Sequence, residues 1–173
     1  GERSFSYWRS DSAARTLAAD PLLLQAALKG ADFTYFSGIT LAILPPEDRT
    51  RFLTVLRGFR GSGGRVVFDP NLRPKLWASP QEMTEAVMQA AAVSDIALPS
   101  YDDEAQWFGD ENPAATLERY LRAQAGCCVV KNGADRLLFT EGGQRFSCDP
   151  NPDVRVVDST AAGDSFNAGF IAA

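Results

Sequence analysis

Residues 158–173, DSTAAGDSFNAGFIAA, carry the pattern from which the fold is inferred. They follow the β-branched run 154–157, which predicts a strand. Phe166, Phe170 and Ala173 then recur at spacings of four and three residues, which predicts the apolar face of a helix. The segment therefore predicts a strand, a short turn of small residues and a helix in direct succession.

The turn in that segment consists of Ala161, Ala162 and Gly163, which leave the backbone amides unshielded. The first amides of a helix have no partner within the helix, and the helix dipole favours negative charge there, so the turn is a candidate anion site. Asp164 lies beside it, where a carboxylate could take a proton from a hydroxyl while the amides neutralise the transferred group. An ordinary helix-start carboxylate, worth up to about 1 kcal/mol, explains Asp164 equally well from spacing alone.

Strand and helix patterns alternate along the rest of the chain. Strand patterns occupy 31–37, 65–69, 96–99 and 126–131, the first and the last of them predicted to be buried, and a hairpin occupies 136–148. Helix patterns occupy 17–28, 45–59, 79–94 and 113–124, and a further helix opens after residue 100. Such alternation predicts an α/β fold with a mostly parallel sheet and helices on both faces.

Composition narrows the classes of function. The chain has 173 residues, 45% hydrophobic and 23% charged, which is typical of one globular body. A formal net charge of −5 argues against nucleic acid or an anionic membrane as partner, and the chain has no apolar run long enough to span a membrane. Three cysteines without histidine disfavour zinc sites and His-dependent catalysis, and reduced thiols are expected in a cytoplasmic protein.

Residues 158–169 closely resemble the C-terminal signature of the ribokinase-like (PfkB) sugar kinases, D-T-x-G-A-G-D-x-F-x-A-G. They depart mildly from it at Ser159, where Thr is usual, and at Ala161, where Gly is common. The resemblance implies a ribokinase-like three-layer α/β/α sandwich in which Asp164 is the catalytic base. It also implies that the backbone of residues 161–164 forms the anion hole, with ATP and Mg²⁺ as cofactors.

Two further segments resemble ligand-binding elements of the same family. Residues 69–73, DPNLR, match its D-x-N-x-R element at the end of a strand, which implies that Arg73 is a cation for the substrate or the phosphoryl group. Residues 130–135 resemble its V-K-x-G-x-x-G turn, which implies Lys131 and Gly133 beside ATP, although Arg136 replaces the last glycine. A loop salt bridge for Arg73 and a plain β-turn around Gly133 remain open.

Ser100 stands where the family's N-x-x-E motif, linked to magnesium and phosphate, normally begins with Asn. Asp103 or Glu104 would supply its acid. Hydrated magnesium tolerates such substitution because it is often held through waters and nucleotide phosphates. A capping serine followed by helix-start carboxylates accounts for the same residues.

Residues 1–15 resemble one branch of the family in particular, the kinases of 2-keto-3-deoxygluconate. In that branch the Tyr and Arg of the Tyr-Trp-Arg stretch contact the acid sugar, which implies the same role for Tyr7 and Arg9. A guanidinium can hold a carboxylate by two parallel hydrogen bonds, so the chemistry agrees. An exposed edge strand with a surface arginine is the alternative for Arg9.

The resembled kinases are longer at both ends. We therefore expect residues 1–9 to be the remnant of a β lid whose larger part is missing, and residues 10–173 to be the central part of the kinase domain.

The expected product is the 6-phosphate of 2-keto-3-deoxygluconate. A kinase for a neutral sugar such as fructose or ribose and a non-catalytic binding domain of the same fold stay open. A homo-oligomer is compatible with the sequence, which does not decide the oligomeric state.

Overall fold

The computed structural model describes residues 11–151, 153 and 155–172 of the chain. The strands are β1 (Phe33–Ser37), β2 (Arg65–Asp69), β3 (Ile96–Ala97), β4 (Cys127–Val130), β5 (Leu137–Glu141) and β6 (Gln144–Cys148). The α-helices are α1 (Pro21–Leu28), α2 (Gly38–Ile43), α3 (Pro46–Gly61), α4 (Pro80–Ala91), α5 (Tyr101–Phe108), α6 (Pro113–Arg122) and α7 (Ala162–Ala172). Short 3₁₀ helices lie at Ala13–Thr16 and Pro74–Leu76.

The strands form one sheet in the order β1-β2-β3-β4-β5-β6. The first four run parallel, with Phe36 beside Phe68 and Ala97 beside Cys128, and the last two are antiparallel. Parallel neighbours need a crossover, which the intervening helices supply. The mostly parallel sheet and the hairpin are therefore confirmed.

Alternate side chains of the central strands enter two separate apolar layers. Val66 and Phe68 join the larger core together with side chains of α1 to α6. Val67 faces the opposite side, where Phe166 and Phe170 of α7 cover it. The neighbours Cys127 and Cys128 divide in the same way, which confirms helices on both faces of the sheet.

Proline and polar caps determine where several helices begin. Proline occupies the first turn of α1, α3, α4 and α6, where its missing N–H leaves no hydrogen bond unmade. The side chains of Asp20, Ser79 and Asn112 accept hydrogen bonds from first-turn amides of α1, α4 and α6. Such a cap contributes about 1 kcal/mol, so these boundaries follow from local sequence.

Two strand predictions were wrong in part. Residues 155–157 form no strand, and Val156 and Val157 are 71% and 91% exposed, because no strand among the described residues lies beside them. β1 was expected to be buried, yet Phe33 and Tyr35 are 50% and 41% exposed, since β1 lies at the edge of the described sheet. A β-branched or aromatic pattern predicts strand propensity, whereas pairing and cover depend on distant residues.

Gly38 connects β1 to α2 at a close approach of two backbones. A Cβ atom built on Gly38 would lie 1.9 Å from the carbonyl oxygen of Pro70, in the loop that follows β2. The carboxyl ends of β1 and β2, where Ser37 pairs with Asp69, therefore leave no room for a side chain at Gly38. Those ends carry side chains of the candidate site.

Replacing Gly38 by alanine should lower the free energy of unfolding by roughly 1–3 kcal/mol, because the backbone at Pro70 must shift. Gly58→Ala, inside α3, is the matched control, since its added Cβ meets nothing within 4 Å. That control should raise the free energy of unfolding by about 0.5–1 kcal/mol. Urea unfolding measures both, and a Gly38→Ala midpoint equal to that of the wild type would contradict the prediction.

Candidate functional site

The carboxyl ends of β2, β3 and β4 meet the N-terminus of α7. Asp69 is the last residue of β2, and Ser100 and Lys131 follow β3 and β4 and pair in a parallel bridge. Ser159 and residues 161–164 approach the same edge and line a cavity with these side chains. The strand-end location agrees with the general position of ligand sites in open α/β sheets.

Two adjoining cavities lie at this edge. The first, here called the Asp164 cleft, has a volume of about 250 Å³ and is lined by Asp69, Asn71, Arg73, Ser100, Asp103, Lys131, Ser159, Ala161, Ala162, Gly163 and Asp164. The second, the Gly133 cleft, has a volume of about 370 Å³ and is lined by Ser100, Lys131, Asn132, Gly133, Asp135, Leu137, Pro150, Ala162, Gly163 and Phe166. Four lining residues are shared, so an elongated ligand could occupy both clefts.

The N-terminus of α7 provides backbone donors to the Asp164 cleft. The amides of Gly163 and Asp164 have no hydrogen-bond partner among the described residues, as the anion-hole prediction requires. Ala162 differs, because its N–H donates to the carbonyl of Ser159 at 3.1 Å. The prediction is therefore corrected for Ala162, which lines the cleft without a free donor.

Ala161 immediately before α7 adopts the left-handed conformation, with a φ of 59°. This conformation costs a residue with a Cβ roughly 1–2 kcal/mol and is the reason that glycine suits such a position. The strained turn brings Ala161, Gly163 and Asp164 to one wall of the cleft, and the Asp164 side chain is exposed there.

The Asp69 carboxylate lies beneath the cleft and is almost fully buried, at 4% exposure. Its Oδ1 accepts from the Asn71 amide at 3.2 Å and from Lys131 Nζ at 3.5 Å. Its Oδ2 accepts from Asn167 Nδ2 at 2.8 Å and from the Tyr35 hydroxyl at 3.3 Å. These donors satisfy the buried charge, which would otherwise be strongly destabilising.

Three side chains connect around Asp69 into one network. Lys131 Nζ donates to Asn167 Oδ1 at 3.1 Å, and Asn167 Nδ2 also lies 3.3 Å from the Tyr35 hydroxyl. Burial, and then the carboxylate of Asp69, raise the pKa of Tyr35 to about 12, so its hydroxyl stays protonated and can donate. Lys131, expected near ATP, lines both clefts while its ammonium group takes part in this network.

Asp103 and Glu104, the two carboxylates considered for magnesium, have different environments. Asp103 lines the Asp164 cleft, where burial raises its pKa and Arg73 opposes that shift. Glu104 is fully buried on the core side of α5. Its carboxylate oxygens accept from the Arg119 guanidinium at 2.7 Å and from the Tyr120 hydroxyl at 3.0 Å. Burial raises the pKa of Glu104 to about 7 against the effect of these partners. Glu104 therefore cannot reach a cleft ligand, and its expected metal role was wrong.

Asp103 suits a magnesium ion that is held largely by water and phosphate. The described residues contain no group of three or more His, Cys, Asp or Glu side chains that could enclose a metal. Magnesium commonly uses only one or two carboxylates together with substrate phosphates. Asp103 and Asp164, which line the same cleft, are compatible with that mode.

Arg73, Ser100 and Gly133 line the clefts as their sequence positions suggested. Arg73 is exposed and donates to the Leu72 carbonyl at 2.8 Å, and no salt bridge is found for it among the described residues. The Ser100 side chain makes no capping hydrogen bond to α5. Gly133 has a φ of 56° in a turn closed by a hydrogen bond from Asp135 N–H to the carbonyl of Asn132.

Tyr7 and Arg9 lie outside the described residues, so their role stays a prediction. Tyr35 and Asn167 were missed by sequence analysis although both contact Asp69. Asn167 carried a weak signal, since it is polar between Phe166 and Phe170 on an otherwise apolar segment. Tyr35 gave none, because its role depends on β1 lying beside β2.

Similarity to known proteins is extensive. The sequence model of the pfkB family carbohydrate kinases matches residues 1–173. A 2-dehydro-3-deoxygluconokinase of Dickeya dadantii strain 3937 is 43% identical over 176 residues, covering 99% of this chain and 57% of that relative. The chain thus spans a little more than half the length of this curated relative.

Solved structures share the fold. A PfkB protein from Polaromonas sp. JS666 superposes with a TM-score of 0.73 at 29% identity, covering 86% of this chain and 48% of that one. Aminoimidazole riboside kinase from Salmonella enterica, complexed with aminoimidazole riboside and an ATP analog, superposes with a TM-score of 0.70 at 31% identity. The match covers 82% of this chain and 46% of that one. The predicted ribokinase-like fold class is confirmed. No described helix combines the length and the apolar character that a membrane span requires.

Matched amide substitutions in the full-length protein can distinguish the roles of Asp103 and Glu104. Asp103→Asn should raise the magnesium concentration needed for half-maximal activity by roughly ten-fold, because the cleft loses a carboxylate. Glu104→Gln should leave that dependence unchanged and lower the free energy of unfolding by roughly 1–3 kcal/mol. Magnesium titrations and urea unfolding test the pair. A shifted magnesium dependence in Glu104→Gln alone would reverse the assignment.

Proposed function

The chain belongs to the pfkB family of carbohydrate kinases, and we propose that it phosphorylates 2-keto-3-deoxygluconate, also called 2-dehydro-3-deoxygluconate, with ATP. The observation that carries this proposal is the exposed Asp164 carboxylate beside the free amides of Gly163 and Asp164, at one wall of one cleft. The 43% identity to a 2-dehydro-3-deoxygluconokinase supports this choice of substrate. The product would be the 6-phosphate.

Asp164 would act as the general base. It accepts the proton of the terminal sugar hydroxyl, whose oxygen forms the new bond to the γ-phosphorus while the bond to the ADP oxygen breaks. The unpaired amides at the α7 N-terminus bind the transferred phosphoryl group and neutralise its charge. Phosphoryl transfer depends mainly on positioning and charge neutralisation, which are what this cleft can supply.

The Gly133 cleft is the proposed binding region for the nucleotide. Leu137, Pro150 and Phe166 offer it apolar surface, and the glycine turn at 132–135 leaves room for a close approach. Because both clefts share Lys131 and Gly163, phosphates can extend from one into the other. The related riboside kinase was solved with an ATP analog, which supports ATP as donor.

Asp103 would hold magnesium through water, together with the nucleotide phosphates. When bound, the ion would neutralise negative charge on the phosphates. Arg73, which lines the same cleft, would bind the carboxylate of the acid sugar together with Tyr7 and Arg9. The described cysteines are unpaired, which is compatible with a reducing cytoplasm.

Replacing Asp164 by asparagine in the full-length protein should lower kcat by roughly 10²–10⁴-fold, because the amide cannot accept the proton. Asp102→Asn is the matched control, since Asp102 is an exposed helix-start carboxylate that lines neither cleft. ADP release measured by a coupled assay gives both rates. A near-wild-type rate for Asp164→Asn would exclude Asp164 as the base.

The sugar specificity can be tested with 2-keto-3-deoxygluconate, fructose and ribose in the same assay. Turnover should occur with the acid sugar. Arg73→Met should raise the KM for the acid sugar by roughly 10–100-fold, because a charge-assisted contact is lost. Lys75→Met is the control, because Lys75 is a cation that lies nearby in the chain but lines neither cleft. The KM of this variant for the acid sugar should equal that of the wild type.

Turnover with fructose or ribose alone would keep Asp164 as base but discard the acid-sugar assignment. A full-length protein that releases no ADP with any of the three sugars would contradict the kinase proposal and favour a binding domain of the same fold.

A further inference from the structure

We propose that Asn167 is a positioning residue that fixes the N-terminus of α7, and with it Asp164 and the free amides, over the strand ends. This inference rests on the proposed function for its effect on turnover. Its geometry is independent of which sugar is phosphorylated. Asn167 itself does not line either cleft.

Asn167 is the buried residue of α7, at 2% exposure, whereas the described positions 162–165 at the start of the helix are all exposed. A helix that covers a sheet normally buries apolar side chains, and here Phe166, Phe170 and Ile171 are only partly buried. The most enclosed contact between α7 and the sheet is therefore a polar one.

The contacts of Asn167 reach β1, β2 and the residue that follows β4. Its Oδ1 accepts from Lys131, after β4, and its Nδ2 lies within 2.8 Å of Asp69 in β2 and 3.3 Å of Tyr35 in β1. A side chain bonded to residues at the ends of three neighbouring strands cannot slide along the sheet without losing a bond. This arrangement fixes both the rotation of α7 and its height above the sheet.

The position of Asn167 in the helix transmits this constraint to the site. Asn167 follows Asp164 by three residues, so the two side chains lie on neighbouring parts of one helix face. Asp164 makes no hydrogen bond of its own to the sheet among the described residues, and its place depends on the helix that carries it. The ammonium group of Lys131 also lies just under Gly163, 3.8 Å from where a Cβ would stand.

Asparagine is suited to this position by its chemistry. It accepts from the Lys131 ammonium group and donates to the Asp69 carboxylate at the same time, so it links an ion pair whose charged atoms are 3.5 Å apart. An aspartate would lack the donor and would face Asp69 with a like charge. An alanine would leave the buried charges one partner short.

A purely structural role would also make Asn167 sensitive to substitution, so the test must separate stability from turnover. Asn167→Ala is compared with Thr116→Val in the full-length protein. Thr116 is fully buried and donates to Asp110 at 2.7 Å, in the remote contact between α5 and α6. This control removes a buried hydrogen bond between two residues that line neither cleft.

We expect Asn167→Ala to lower kcat by roughly 10–100-fold with the KM values of ATP and sugar changed little, because misplacement of Asp164 by about 1 Å has an effect of that order. Thr116→Val should lower the melting temperature and leave kcat unchanged. Hydrogen exchange of the Ser165 and Phe166 amides should become faster in Asn167→Ala and not in Thr116→Val. A folded Asn167→Ala protein with wild-type kcat would overturn the proposal.

Tyr35→Phe is the second variant, for the case in which Asn167→Ala does not fold. It keeps the ring and removes only the hydroxyl that contacts Asn167 and Asp69. We expect a kcat lower by roughly 3–10-fold and faster exchange at the start of α7, on the same positional argument. Wild-type values for both would overturn the proposal. If the wild type releases no ADP, the proposed function fails, whereas the exchange measurement still decides the role of Asn167.

Discussion

The buried carboxylate of Asp69 is the constraint on which the geometry of this site depends. A single charge at 4% exposure is tolerated because four donors from four segments surround it: Tyr35, Asn71, Lys131 and Asn167. Each donor reaches the carboxylate only where its segment meets the carboxyl end of β2. The need to pair this charge therefore fixes β1, the loop after β2, the end of β4 and helix α7 relative to one another.

The free donors of α7 can exist because the network beneath holds the helix in place. Unpaired amides and an exposed carboxylate contribute little to folding, and the left-handed Ala161 works against it. Stability comes instead from the apolar contacts of Phe166 and Phe170 and from Asn167. Binding function and fold stability thus depend on different residues of the same short helix.

Asp103 and Glu104, which are adjacent in α5, also divide between the binding site and the core. One residue along a helix turns a side chain by about 100°, so Asp103 faces the Asp164 cleft while Glu104 enters the core. There Glu104 and Asp110 both lie within reach of Arg119, at 2.7 and 2.5 Å. A motif that specifies an acid at this place could not separate the two, because the choice depends on where α6 brings Arg119.

Local sequence determined the alternation of strands and helices, the proline and cap positions that begin α1, α4 and α6, and the small-residue turn before Asp164. These features depend on neighbours within a few residues, so a single sequence contains them. The tertiary structure decided that residues 155–157 form no strand, that Ala162 has no free donor, and that Glu104 belongs to the core. It also brought Tyr35 and Asn167, 132 residues apart, to one carboxylate. Such contacts depend on strand order and helix placement, which no local pattern encodes.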